Sequence, residues 1–259
     1  MTIKVDPEWW KTMFDEFYLL TDARSVCDDE ITGREVDLIC QLLPIRSTHR
    51  ILDLCGGHGR HSRELSKRGF TRCTLVDFSA FLLNRSRSLA QEHNHIVDCV
   101  LADARRTGLS SEVFDHVLIM GNSLGYLGDP SADIQILIEA KRVLRVGGWL
   151  LIDLADGSAV RSKFKPDAWH EIGDDILVCR RREMKADTVS VREMVLSKKS
   201  GLLRDRTYSI RFYEPGKMSE LLGQLGFKGI KTITDFSTRM DQGDYGFMNH
   251  RMIAIGQKG

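Results

Sequence analysis

A glycine-rich turn between an apolar strand and a helix is the feature that most restricts the fold of this 259-residue chain. The strand is predicted over 51–54, the turn spans 55–59 (CGGHG), and the helix after it ends near Gly69. Glycines at such a junction let the backbone adopt positive φ and approach a ligand closely. The junction therefore predicts a ligand site at the carboxyl end of the first strand of a parallel sheet.

Strands and helices alternate from residue 50 to residue 156, a spacing that favours parallel βαβ units. Right-handed crossovers between parallel strands place helices on both faces of the sheet. We predict an α/β fold: a Rossmann-like, seven-stranded, mostly parallel sheet with helices on both faces and an antiparallel β cap. The strands of this sheet are predicted at 51–54, 71–76, 95–101, 113–120, 149–154, about 229–235 and about 248–257.

Two segments lie outside that alternation. Residues 1–45 carry aromatic and aliphatic residues at helical spacing, and we predict an N-terminal helical cover made of two helices. Residues 165–214 show little helical period, and turn signals separate strand-like runs, so we predict an inserted antiparallel β cap with three strands over 176–213. We expect one domain over residues 1–259 that carries both additions.

Composition argues against several other classes of protein. The formal net charge of +1 gives no global field that would attract nucleic acid or an anionic membrane, and no apolar run approaches the roughly 20 residues of a membrane span. The first residues do not resemble a signal peptide, and the six cysteines are scattered, which favours reduced thiols. We expect a cytoplasmic protein with no membrane or nucleic-acid partner, and no metal site.

One charge run needs separate treatment. Arg180, Arg181 and Arg182 are consecutive, a pattern that can indicate RNA binding. On a strand these side chains alternate between faces, and acidic residues surround them in the sequence. We therefore interpret the run as a solvated strand face.

The glycine turn favours a cofactor other than a dinucleotide. Ser62 stands where a dinucleotide-binding turn would have its third glycine, and Asp53 ends the strand just before the turn. A carboxylate there would repel a pyrophosphate but accepts a hydrogen bond from an ammonium group. S-adenosylmethionine (SAM) carries an amino acid moiety and a sulfonium in place of phosphates, so it suits this turn better than NAD.

Residues 51–62 resemble the first motif of the class I SAM-dependent methyltransferases, in particular a small-molecule branch with a motif close to ILDLCCGTGRHS. The chain departs from that motif by a glycine in place of the second cysteine and by His58 in place of threonine. Segments 32–36, 121–126 and 144–148 are similar to the same family. The resemblance implies transfer of a methyl group from SAM to an N or O atom of a small-molecule acceptor. Methylation of RNA or protein, and SAM binding without catalysis, stay open as alternatives.

Acids at the strand ends are the main candidates for cofactor binding. Asp77 ends the second strand, where an acid can bind both hydroxyls of a ribose, although it could also be an acid next to a helix cap. The resemblance implies that Phe78 covers the adenine and that Asp103 and the amide of Ala104 hydrogen-bond to its edge. A plain loop aspartate is the alternative for Asp103. The resemblance also implies that Tyr18 approaches the SAM carboxylate, and an aromatic residue of the core is the alternative there. The predicted cofactor-binding residues are Tyr18, Asp53, Gly56, Gly57, Gly59, Asp77, Phe78, Ser79, Asp103, Ala104 and Met120.

The acceptor is expected beyond the end of the fourth strand, where open α/β sheets bind ligands. A hydroxyl acceptor would benefit from a general base, for which His250 is the candidate, whereas an amine need only bind deprotonated. A surface position is the alternative for His250. Among the acceptor-binding candidates, stabilising a turn is the alternative for Asn122, and packing or a surface position is the alternative for Trp169, Arg211 and Tyr213. The predicted acceptor-binding residues are Asn122, Tyr126, Trp169, Arg211 and Tyr213. The oligomeric state stays open.

Overall fold

The computed structural model describes residues 2–236 and 246–259, and it begins with short helices. These are α1 (Trp10–Met13), α2 (Glu16–Thr21), α3 (Ala23–Val26) and α4 (Asp29–Leu42). The sequence predicted two helices in this region. Aspartates interrupt the longer pattern: the Asp15 carboxylate accepts hydrogen bonds from the first amides of α2, and Asp28 accepts one from Ile31 N in α4 at 2.8 Å. The Asp15 cap begins a new helix where the apolar spacing alone suggested continuity, whereas the Asp28 cap begins the helix that corresponds to the second predicted one.

The central part of the chain alternates strands and helices as predicted. The elements are β1 (Ile51–Leu54), α5 (Arg60–Lys67), β2 (Cys73–Asp77), α6 (Ala80–Glu92), β3 (Val97–Leu101), β4 (Phe114–Ile119), α7 (Pro130–Val143), β5 (Leu144–Ala155) and α8 (Gly157–Ser162). The strands β1 to β5 pair in parallel.

A second sheet follows, and then the chain returns to the first. The second sheet contains β6 (Asp167–Ile172), β7 (Ile176–Lys185), β8 (Thr188–Ser197) and β9 (Gly201–Arg211), all antiparallel to their neighbours. Helix α9 (Pro215–Gln224), strand β10 (Phe227–Phe236), a 3₁₀ turn (Gly246–Asn249) and β11 (Arg251–Lys258) complete the described chain. The sequence missed β6, because this strand exposes alternate residues and has no continuous apolar face.

The strand order of the large sheet is β10-β11-β5-β4-β1-β2-β3, with β11 antiparallel to both of its neighbours. The predicted Rossmann-like, seven-stranded, mostly parallel sheet with an additional antiparallel sheet is confirmed. One core cluster joins the sheet to α7 and α9, and a second joins it to α4 and α5, so helices pack on both faces. In the described ranges, no helix is both long enough and apolar enough to cross a membrane.

The topology determines where a ligand site forms. From β1 the chain moves outward through β2 and β3, and β4 then starts on the other side of β1. Such a reversal leaves a crevice at the carboxyl ends of the two central strands. The second sheet lies against this edge, because Arg211 N in β9 donates a 2.8 Å hydrogen bond to Gly125 O in the loop after β4.

Candidate active site

An open cavity of about 850 Å³ lies at the carboxyl ends of β1, β2 and β4, and we call it the first cavity. Eight residues predicted to bind cofactor or acceptor line it together: Tyr18, Gly57, Asp77, Phe78, Ser79, Asp103, Ala104 and Tyr126. The remaining lining residues are Trp10, Phe14, Cys55, Leu82, Ala102, Gly121, Ser123, Gly125, Leu127, Asp133 and Ile136.

The glycine turn packs directly on the strand ends. A Cβ at Gly56 would lie 2.3 Å from Leu75 Cδ1 and 2.5 Å from Asp53 Cγ, and one at Gly59, where φ is +72°, would lie 2.4 Å from Ser86 Oγ. Any side chain at these two positions would push the turn away from the sheet. Glycine is therefore required at these two positions for the close packing of the turn, and close approach of a ligand to it stays a prediction.

Asp53 lies beneath the turn and does not line the cavity. Its Oδ2 accepts a 2.7 Å hydrogen bond from Ser62 Oγ, which ties the strand end to the first turn of α5. Its Oδ1 is buried and has no hydrogen-bond partner in the described chain. The structure thus places Asp53 where it supports the turn from below, with one acceptor oxygen unused.

Asp77 connects the turn to the end of β2. Its Oδ2 accepts a hydrogen bond from Gly57 N at 2.8 Å, and its Oδ1 accepts one from Ser79 N at 2.8 Å. Burial raises the pKa of Asp77 above its ordinary value. Because each carboxylate oxygen accepts more than one hydrogen bond, Asp77 can still accept donors from a ligand in the cavity.

Aromatic residues and an ion pair form the far end of the first cavity. The ring of Phe78, which is 43% exposed, meets the ring of Trp10 edge to face with centroids 4.6 Å apart. Asp103 pairs with Arg105 at 2.5 Å, and this hydrogen-bonded guanidinium lowers the pKa of Asp103. Trp10 was not singled out from the sequence, because its spacing marked it only as part of an apolar stripe.

The loop after β4 is shaped by residues with positive φ. Asn122 has φ +64°, and its Oδ1 accepts a 3.0 Å hydrogen bond from Ala155 N. This contact matches the turn-stabilising alternative considered for Asn122. The Met120 side chain packs into the core between the sheet and α4 and does not line the first cavity.

Arg211 and Tyr213 hold an acid at the wall of the first cavity. Asp133 Oδ2 accepts hydrogen bonds from Arg211 Nη1 at 2.7 Å and from the Tyr213 hydroxyl at 2.6 Å, while its Oδ1 accepts one from Gly125 N at 3.1 Å. Neither Arg211 nor Tyr213 lines either of the two cavities described here. The geometry therefore places both residues as supports for Asp133, behind the cavity surface.

A second cavity of about 760 Å³ adjoins the first. It lies between the N-terminal helices, the loop after β4 and the second sheet. Four residues line both cavities: Phe14, Tyr18, Gly121 and Tyr126. The other lining residues are Trp9, Met13, Asp22, Val26, Asn122, Arg180, Arg182, Glu193, Tyr208, Ile210, Phe247 and Met248.

Charged side chains enter the second cavity from β7 and β8. Arg180 Nε donates to Glu193 Oε2 at 2.7 Å, and Arg180 Nη2 donates to Asp22 Oδ2 at 3.0 Å. The predicted solvated strand face is wrong for two of the three arginines: the Arg180 side chain is 13% exposed and Arg182 is 8% exposed. They lie on the face of the second sheet that the N-terminal helices cover, which the sequence could not reveal.

Buried ion pairs support the cavities from behind. Arg251 pairs with Glu35 and Asp153, and Glu35 also pairs with Arg60 and with His61 Nε2 at 2.8 Å. Asp153 Oδ2 in addition accepts a 2.9 Å hydrogen bond from Gly121 N, one of the residues that the cavities share. The network ties α4, α5, β5 and β11 to the loop after β4.

Trp169 and His250 are not among the residues that line the two cavities. Trp169 on β6 is 70% exposed, and His250 precedes β11, where its carbonyl oxygen accepts a 2.9 Å hydrogen bond from Asp156 N. Their predicted roles toward the acceptor stay predictions. Across 2–236 and 246–259, no three His, Cys, Asp or Glu side chains are grouped in a way that could hold a metal ion.

Comparisons with known proteins agree with this geometry. Residues 51–148 match the model of a family described as a methyltransferase domain, a segment that runs from the start of β1 into β5. The chain is 26% identical over 224 residues to the glycine/sarcosine N-methyltransferase of Aphanothece halophytica, covering 85% of this chain and 81% of that protein.

Two solved structures share the fold. The CcbJ methyltransferase from Streptomyces caelestis superposes with a TM-score of 0.72 at 18% identity, covering 88% of this chain and 89% of that one. The SAM-bound amino pentose methyltransferase CalS10 from Micromonospora echinaspora superposes with a TM-score of 0.64 at 16% identity, covering 88% and 90%. At these identities the two structures bear on the architecture alone.

Proposed function

We propose that this chain, which is a SAM-dependent methyltransferase, transfers the methyl group of SAM to a nitrogen or oxygen atom of a small-molecule acceptor in the second cavity. The observation that supports this most directly is the junction of the two cavities. Phe14, Tyr18, Gly121 and Tyr126 line both. A group held at this junction is accessible from either side, as a displacement between two bound molecules requires.

The residues of the first cavity fit SAM. Glycine is required at the turn for close packing, and a carboxylate with spare acceptor capacity stands beside it. In our proposal Asp77 binds the ribose hydroxyls, Asp103 and the amide of Ala104 bind the adenine edge, and the ring of Phe78 covers the adenine face.

When bound, SAM supplies a methyl group on a positively charged sulfur, which is a good leaving group. The protein then has to position the acceptor, exclude water and leave the attacking lone pair free. Phe14 and Tyr126 contribute here, because their rings lie 5.6 Å apart at the junction and form an apolar wall. Water excluded from the junction cannot compete with the acceptor.

Three tyrosines supply neutral hydrogen-bonding groups near the acceptor. Burial raises the pKa of Tyr18, Tyr126 and Tyr208 above its ordinary value, so each phenol stays protonated at neutral pH. Phenol groups can orient an acceptor by hydrogen bonding without carrying charge. In this proposal they position the acceptor and take no proton from it.

The enclosing second sheet favours a small acceptor over RNA or protein. Residues of β7, β8 and β9 and of the N-terminal helices border the second cavity from opposite sides. A polymer acceptor would instead need an open groove lined by basic residues. A protein that binds SAM without transferring its methyl group is the alternative from a different class.

Labelled-methyl transfer separates these functions. The purified protein is incubated with SAM labelled in the methyl group and, separately, with small-molecule, RNA and protein fractions of a cell extract. The proposal expects label in the small-molecule fraction, with transfer greatly reduced in Asp77→Ala. Label confined to RNA or protein would favour a polymer acceptor, and SAM binding without transfer to any fraction would indicate a binding protein.

A further inference from the structure

One carboxylate interrupts an apolar face of the second sheet. Val189, Val191, Glu193 and Val195 alternate along β8, and each is 0% exposed. Burying a carboxylate among valines is costly unless hydrogen-bond donors or opposite charges compensate for the lost water. Glu193 therefore needs hydrogen-bond donors or positive charges beside it at this position of the sheet.

Only one of the two Glu193 oxygens is accounted for. Oε2 accepts a 2.7 Å hydrogen bond from Arg180 Nε, whereas Oε1 is buried and has no partner in the described chain. Glu193 lines the second cavity. A buried oxygen that lacks a donor loses the hydrogen bonds that it makes in water, and a donor supplied by a ligand would recover much of that loss.

The neighbouring charges favour a cationic donor. Arg180 is shared by two acids, Glu193 and Asp22, so its single positive charge faces two carboxylates. Arg182 lies on the same wall with its guanidinium 4.8 Å from the centroid of the Phe247 ring. Arg204 pairs with Asp15 at 2.8 Å, and its charge also acts on Glu193, whose pKa it lowers.

We propose that Glu193 Oε1 binds the amino group of the acceptor, which makes small primary or secondary amines the substrate class of this enzyme. The inference rests on the proposed function, since it identifies the acceptor for the same reaction. It is consistent with burial raising the pKa of Glu193, because a carboxylate short of solvation takes up a proton more readily.

The chemistry balances with Glu193 as proton acceptor. An amine arrives as an ammonium ion and transfers one proton to Glu193, which frees the nitrogen lone pair. That lone pair forms the new N–C bond, and the electron pair of the broken C–S bond remains on sulfur. The nitrogen leaves as a methylated ammonium ion, and Glu193 returns its proton to solvent. An alcohol would bring no positive charge to the two carboxylates and would bind less tightly.

Matched pairs of amines and alcohols test the proposal by binding alone. Isothermal titration measures the dissociation constants of glycine and glycolate, ethanolamine and ethylene glycol, and glucosamine and glucose, with S-adenosylhomocysteine (SAH) at saturation. For at least one pair we expect the amine to bind ten-fold or more tightly than the alcohol, and Glu193→Gln to reduce that preference below three-fold. Glu171→Gln is the matched control, because Glu171 is a half-exposed acid of the same sheet paired with Lys198.

Two results would overturn the inference. One is the absence of any amine preference in the unmodified protein, a measurement that needs no variant and holds even if Glu193→Gln fails to fold. The other is a folded Glu193→Gln protein that keeps the full preference. The dissociation constant of SAH is measured for each protein. If the unmodified chain does not bind SAH, the proposed function is refuted. If it binds SAH but shows no preference for amines, this inference alone is refuted.

Discussion

Replacing Asp77 by alanine removes a side chain that stabilises the fold and that we propose to bind the cofactor. Its two oxygens accept hydrogen bonds from Gly57 N and Ser79 N, each at 2.8 Å. A hydrogen bond to a charged group contributes about 1.5–3 kcal/mol to stability. Because both amides lie at a cavity wall where water can replace part of the loss, we take the lower value for each, about 3 kcal/mol for the pair.

Cofactor affinity should fall by a comparable amount. If Asp77 accepts both ribose hydroxyls, its loss removes two charge-assisted hydrogen bonds, which we again take at about 1.5 kcal/mol each. A total of about 3 kcal/mol corresponds to a roughly 100-fold higher dissociation constant. Asp77→Asn keeps one acceptor oxygen but sets an amide donor against a backbone N–H, so we expect an intermediate loss of about ten-fold.

Two measurements on the same proteins check these values. Isothermal titration with SAH gives the dissociation constant, and urea unfolding gives the free energy of unfolding. The control is Asp98→Asn, an exposed acid on the neighbouring strand β3 that should change neither quantity. An Asp77→Ala protein with unchanged SAH affinity would refute the role given to this carboxylate, whatever its stability.

Three further outcomes follow from the geometry. A Cβ at Gly125, where φ is +94°, would lie 2.2 Å from the Arg211 carbonyl oxygen, so Gly125→Ala should lower the melting temperature and transfer rate together; an unchanged melting curve would contradict this. Arg251→Met leaves two buried carboxylates without their shared cation, and urea unfolding should show a loss of about 3–5 kcal/mol. Burial and the nearby Arg63 lower the pKa of His58 to about 3, so its contribution to stability is complete above pH 6.5 and is lost as pH falls from 6.5 toward 3. His58→Gln should therefore lose less stability than the unmodified protein between pH 7 and pH 4.5 in urea titrations, and equal losses would contradict the assignment.

The site residues that the sequence could identify were those placed by the local pattern of strands and turns. Two of these, the turn at 55–59 and Asp103, follow strands of the parallel sheet, and Asp77 ends one. The carboxyl ends of such strands meet at one edge. The periodicity of the chain therefore predicted the sheet and the edge at which the first cavity lies. Strand β6 escaped notice because its alternation is between exposed and half-buried residues.

Residues of the second cavity depended on contacts that no local pattern encodes. Arg180, for example, meets Asp22 across 158 positions of the chain. One signal was available in retrospect: Glu193 stands among valines with a period of two, and an acid on an apolar strand face marks a position where burial must be compensated. Which face the N-terminal helices would cover could not be read from that pattern.

A crystal structure of the protein with SAH bound tests the central claim most directly. The account predicts the nucleoside in the first cavity, with the Asp77 carboxylate within hydrogen-bonding distance of the ribose hydroxyls and the sulfur at the junction beside Gly121 and Tyr126. A nucleoside lying in the second cavity, or a sulfur directed away from the junction, would contradict it.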